Sequence, residues 1–180
     1  MKSMLLTSKL IRWVVFFASC GLLALLLSQA VFSQSADDVS KAMALIKERA
    51  VALGGAGTRS DDALAAKPVI ALYFGSTKIN NNFTIVDEVQ LQTGAAATFF
   101  VRNGDAYVRV ATSIRKDDGS RAIGTVLDPA GKAFAAIAKG DAYYGDASIL
   151  GKPYAAGYEP IRSVDGTVIG IYFVGYPKAS

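Results

Sequence analysis

The chain changes its period near Gly94, and that change limits the folds open to it. Before Gly94, apolar residues recur every three or four positions; after it, apolar and polar residues alternate. Val39, Met43, Ile46, Ala50 and Leu53 mark one face of a helix. It opens at Ser35-Ala-Asp-Asp, with a capping hydroxyl and two acids in the first turn. Gly54-Gly55-Ala56-Gly57 stops it, because glycine accepts the left-handed conformation at a helix end. No strand precedes that run and no Lys-Ser/Thr follows, so it does not read as a phosphate loop. Val69–Phe74 is a short apolar run before Gly75. Asn80-Asn81-Asn82 favours a turn or helix entry, and Phe83–Thr93 reads as a second helix.

Alternation then predicts strands at Ala97–Arg102 and Tyr107–Ile114, joined through Asn103-Gly104, a strong hairpin signal. Lys116-Asp117-Asp118-Gly119 makes the next turn, without the spaced acids of a calcium loop. Asp128-Pro129 starts a helix over Pro129–Lys139, since proline suits a first helical turn. Ala142–Leu150, Pro153–Arg162 and Thr167–Tyr176 complete the strands. The order predicts an α+β domain over residues 36–177. Its core is one antiparallel sheet of about five strands between Ala95 and Tyr176, with the Ser35–Leu53 helix packed along it.

The first 33 residues stand outside this pattern. Lys2, Lys9 and Arg12 precede the uncharged run Trp13–Leu27, and small residues at Ser28 and Ala30, or at Ser33 and Ser35, follow. This is the layout of a secretory signal peptide. Trp13–Phe32 is also long enough to remain as a membrane anchor, with its basic side held in the cytoplasm. Either way the domain is exported. Cys20, the one cysteine, reads as a small residue within the apolar run and not as a lipidation site. Asn82-Phe83-Thr84 is a formal glycosylation sequon, relevant only in a eukaryotic secretory pathway.

Charge and missing residue types narrow the function. Of 19 basic residues three lie in the leader, leaving 16 against 15 acids, with the signs interleaved. No basic stripe is left for nucleic acid. Histidine is absent, which removes the commonest general base and the commonest metal ligand. No catalytic residue, metal or cofactor is expected.

The wording of the chain carries a resemblance. It runs through Leu72-Tyr-Phe-Gly, Ile79-Asn-Asn-Asn-Phe83, Gln92-Thr-Gly94, Phe100-Val-Arg102 and Tyr107-Val-Arg-Val-Ala-Thr112. It continues in Asp118-Gly-Ser-Arg-Ala-Ile-Gly-Thr125, Tyr144-Gly145, Ile149-Leu-Gly-Lys-Pro-Tyr154 and Gly157-Tyr-Glu-Pro-Ile161, and closes on Ile169-Gly-Ile-Tyr-Phe-Val-Gly175. In this order the words resemble the single Cache sensor domain family, in its Cache 3/Cache 2 fusion subgroup, over about Asp37–Pro177. The resemblance implies a PAS-like extracytoplasmic sensor, often the input domain of chemotaxis receptors, whose sheet and crossing loops enclose a small organic acid or amino acid. The residues after the last strand include no second membrane helix, HAMP linker or signalling helix. A partner chemoreceptor or membrane sensor is therefore expected to read the bound state, unless the domain is a free-standing binder. A homodimer through the N-terminal helix is a further expectation.

The residues themselves point to a site. Strict alternation puts Tyr107, Arg109, Ala111 and Ser113 on one face of their strand. An arginine between valines in mid-strand is costly to bury unless its donors meet acceptors, which suits a carboxylate fork. The resemblance implies the same role, since related PAS-like carboxylate sensors use a basic residue on this strand. Lys152, Tyr154 and Tyr158 alternate in step, and Tyr143 and Tyr144 lie just before them. Tyrosine suits a small pocket, with an apolar ring and a polar tip. The candidate ligand set is Arg109, Tyr107, Tyr144, Lys152, Tyr154 and Tyr158. Arg121, beside a loop, reads as a solvated charge. The alternative to a ligand binder is a non-catalytic structural or interaction subunit.

The leader generates the first test: N-terminal sequencing of the fractionated protein. A start between Val31 and Ala36 is expected from cleavage and an intact Met1 from an anchor. Recovery in the cytosol would contradict both.

Overall fold

The structure, a computed structural model, describes residues 36–64 and 67–178. The signal-peptide or anchor segment and the Ser35 cap lie outside the described residues. Helix α1 takes up residues 36–51. Strands β1 (Ala56–Leu64), β2 (Lys67–Phe74) and β3 (Thr77–Lys78) form a small sheet, followed by helix α2 (Thr84–Thr93). A five-stranded sheet contains β4 (Ala96–Asn103), β5 (Ala106–Thr112), β6 (Tyr143–Ile149), β7 (Lys152–Arg162) and β8 (Val168–Pro177). Its order is β5-β4-β8-β7-β6 and every pairing is antiparallel. Helix α3 (Lys132–Ala138) falls between β5 and β6.

The predicted α+β plan, with five antiparallel strands, is the one found. Strand ends differ from the sequence reading by one or two residues. Three elements differ more. Strands β1 and β3 are not predicted, because Ala56–Leu64 (AGTRSDDAL) lacks an apolar alternation to betray a strand and Thr77–Lys78 is only two residues long. Helix α3 begins three residues later than Pro129. Asp128 accepts the Ala130 N–H at 2.9 Å and its carbonyl accepts the Gly131 N–H at 3.1 Å, making a turn there first.

Both faces of the large sheet are covered. On one face Val39, Ala42, Met43 and Ile46 of α1 meet Ala97, Phe99, Val110 and Val174. Phe74 of the small sheet closes this core against Phe99 and Tyr172, with ring centroids 5.8 and 6.0 Å away. On the other face, Ala133 and Ile137 of α3 cover Phe100, Ile171, Phe173 and Tyr158. Double coverage explains why β4 reads as a near-continuous apolar run and does not alternate cleanly.

A buried side chain extends the small sheet. Strand β3 pairs only with Tyr73 and Phe74, and Asn80 takes over beyond it. The Asn80 amide donates to the Ile70 carbonyl at 3.2 Å, and its oxygen accepts the Leu72 N–H at 3.0 Å. Asn80→Ala would strand these two backbone groups in a buried place. Urea unfolding is expected to show a loss of about 1–3 kcal/mol.

Candidate functional site

The site begins with a break in the pleat. Phe99 pairs with Ala111 but Phe100 pairs with Arg109, leaving Val110 as the extra residue of a β-bulge. Val110 and Ala111 therefore both enter the α1-side core. This corrects the alternation read from sequence: Ala111 does not share the face of Arg109. Thr112 takes its place, opposite Thr98, and the two hydroxyls lie 2.6 Å apart. The carbonyl that the bulge frees on Val110 accepts the Asn81 N–H at 2.9 Å.

Arg109 is thereby aimed into the α3-side core. It is 5% exposed and is the one charged side chain among the buried described residues. Its guanidinium lies over the Phe100 ring, 4.9 Å from the centroid, and its Nη1 donates to the Thr125 hydroxyl. Its Nε is buried without a partner. Desolvation lowers the Arg109 pKa to about 10, against a smaller opposing pull from Tyr158 and Tyr154. The group remains a cation at neutral pH.

Register across the sheet decides which tyrosines join it. Tyr158 pairs with Phe173, and their rings are 4.9 Å apart on the Arg109 face. Burial pushes the Tyr158 phenol up, so it stays a neutral donor. Tyr154 packs on the same core. Tyr107 is also buried there, edge-on to Phe134 of α3 at 5.8 Å, and burial pushes its phenol up. Lys152 sits at the rim, largely exposed, with its Nζ 3.4 Å from Asp117.

Tyr144 is not brought to this face. It pairs with Gly157, whose hydrogen makes room for Tyr144 and for Val39 of α1. Its hydroxyl donates to Glu159 at 2.5 Å, and Glu159 also takes Lys47 of α1 at 2.5 Å. The adjacent Tyr143 takes the Arg109 side, 6.2 Å from the Tyr158 ring. Sequence reasoning chose between neighbouring tyrosines without knowing the register, and the signal for it was the small residue at Gly157.

A cleft of about 400 Å³ opens beside this cluster. Ala96, Ser113, Ile114, Ile149, Lys152 and Tyr154 line it, together with Gln90 of α2 and the 115–117 turn. Arg109 does not line it; Tyr154 is the residue common to the cleft and the arginine's surroundings. Gly175 gives Tyr154 its place, because a Cβ there would come within 3.3 Å of the Tyr154 ring and 3.0 Å of Phe173. The loop over the site is tied down by Arg121. Its guanidinium meets both oxygens of Asp87 on α2, at 2.6 and 2.8 Å, and lies over Phe83. Arg121 is thus a paired cation and not a solvated one. Thr125, in the same loop, is the Arg109 partner that no local pattern indicated.

Over residues 31–180 the chain matches the model of the Cache 3/Cache 2 fusion domain. The chain belongs to this family. No curated protein matches it. Membership makes the chain an extracytoplasmic sensor domain in general, of a class that binds small molecules and works with signalling partners. Among the described residues of this Cache domain, no helix is long and apolar enough to cross a membrane.

A Cache domain that keeps an unpaired cation in its core gives up stability to do so. A depressed basic pKa is a penalty present at every pH below about 10, relieved only as pH rises through that value. Arg109→Met is therefore expected to stabilise the ligand-free protein at neutral pH, by about 1–4 kcal/mol in urea unfolding. Equal or lower stability would mean that Arg109 is already compensated.

Proposed function

We propose that this Cache domain is a periplasmic sensor, free or anchored to the inner membrane, for a small organic acid or amino acid whose carboxylate binds Arg109. The observation that carries the reading is the buried Nε of Arg109, a donor without an acceptor on the α3-side face of the edge strand β5. Buried charged donors are normally paired, and a site kept for an anion explains one that is not. With Nη1 held by Thr125, the Nε edge of the guanidinium is left for a carboxylate. Tyr154 and Tyr158 stand beside it, the Tyr158 phenol pushed up by burial, Tyr107 completes the wall toward α3, and Lys152 at the rim attracts anions to the cleft. Tyr154 must swing aside for a ligand to pass from the cleft to Arg109. A partner chemoreceptor or membrane sensor would read the occupied state, and pairing of two copies through α1 is the dimer this reading favours.

The close packing around Arg109, which leaves it outside the cleft, also suits a structural or interaction subunit. Titration separates the two. A calorimetric screen of small carboxylates and amino acids should find a saturable ligand. Hydrogen bonds to charged groups contribute roughly 1.5–3 kcal/mol, so Arg109→Ala should weaken that ligand about ten- to a hundredfold. Arg109→Lys should recover only part of this, because an ammonium lacks the planar fork. Unchanged affinity in a folded Arg109→Ala protein would remove Arg109 from the site.

A further inference from the structure

We propose, resting on the carboxylate reading of Arg109, that the site selects a carboxylate with an apolar remainder and rejects the α-amino acid of the same size. An amino acid brings an ammonium as well as a carboxylate, and a buried ammonium needs acceptors, above all an anionic one. No buried anionic acceptor is placed for it. Among the acidic residues whose side chains are described, none is buried. The four that are partly buried already hold bases: Asp38 with Lys41, Asp87 with Arg121, Glu88 with Arg49, and Glu159 with Lys47.

The threonine and serine hydroxyls of this region are already engaged, and none of them carries the negative charge that an ammonium calls for. Thr98 and Thr112 bond each other, and Thr112 also accepts the Ile114 N–H at 3.1 Å. The Thr125 hydroxyl accepts from Arg109 and donates to the Ala122 carbonyl at 2.9 Å. Ser113 accepts the Ala97 N–H at 3.0 Å. What remains around Arg109 is a guanidinium edge, the hydroxyl groups of Tyr154 and Tyr158, the latter's phenol pushed up by burial against the opposing pull of Arg109, and the apolar wall of Phe100, Phe173 and Ile137. Such a set offers donors to an anion and hydrocarbon to the rest of it. An α-ammonium would in addition lie within a few ångströms of the Arg109 charge, in a place where water does not screen the repulsion.

The test uses the full chain, purified as the cell exports it, and ligand pairs that differ by one ammonium: propionate against alanine, and butyrate against 2-aminobutyrate. Calorimetry and thermal shift should show each carboxylate binding at least about a hundredfold more tightly than its amino partner, with ethylamine inert. Arg109→Gln should weaken each carboxylate about ten- to a hundredfold. Amino acids that bind as well as the carboxylates, and lose binding in Arg109→Gln, would overturn the selectivity and leave the arginine site standing. No saturable binding by either class, or carboxylate binding indifferent to Arg109→Gln, would overturn both.

Discussion

Where a sheet is covered on both faces and its edge strand is flanked by a loop, as β5 is, a polar side chain cannot turn outward to water. Each group there must find a partner inside the protein or be left for something that arrives. In this Cache domain the rule is met almost everywhere. Thr98 and Thr112 satisfy each other across β4 and β5, and Asn80 serves the backbone of β2. Arg109 is the departure, with one donor spent on Thr125, its plane resting on Phe100 and its Nε left over. The helices and loops around the sheet keep water from it. Its unmet valence is a product of the architecture as much as of the residue.

The elements that hold this arginine are spread along the chain and meet through a few strong contacts. The loop after β5 runs back along that strand, with the Arg109 N–H donating to the Thr125 carbonyl and the Gly124 N–H to the Arg109 carbonyl, both at 2.9 Å. Arg121 fastens the same loop to α2 through a two-point pair with Asp87. The side chain, its backbone and its cover are thus held by one short segment. Such supports fix the geometry of a site better than the chance rotamer of a long side chain.

Much of the fold was legible because local chemistry and burial agree. The 3.6-residue spacing of Val39, Met43, Ile46 and Ala50 and the Asn103-Gly104 turn point to the structure they form. Strand β1 was not legible, since a polar strand such as Thr58-Arg59-Ser60-Asp61-Asp62 is specified by its partner β2 and not by its own pattern. Arg109 stood out as a charge between valines, and Tyr154 and Tyr158 followed it by simple alternation. Tyr143 and Tyr144 cannot be told apart in the sequence, because two adjacent tyrosines look alike until the register with Gly157 and Tyr158 is known. Thr125 and Gly175 act through contacts with residues far away in sequence. No window of neighbours contains those contacts.

The bulge at Val110 resembles a change of reading frame. On either side of it β5 follows the same two-residue grammar, but the phase differs, so that odd-numbered positions face α3 before it and even-numbered ones after it. Gain or loss of a single residue there would leave composition, strand length and hydrophobicity nearly untouched while exchanging the contents of the two cores. Related chains compared column by column across this strand would then show an arginine conserved in letter and inverted in meaning. Position relative to the bulge, and not position in the alignment, is the coordinate in which such sensors can be compared.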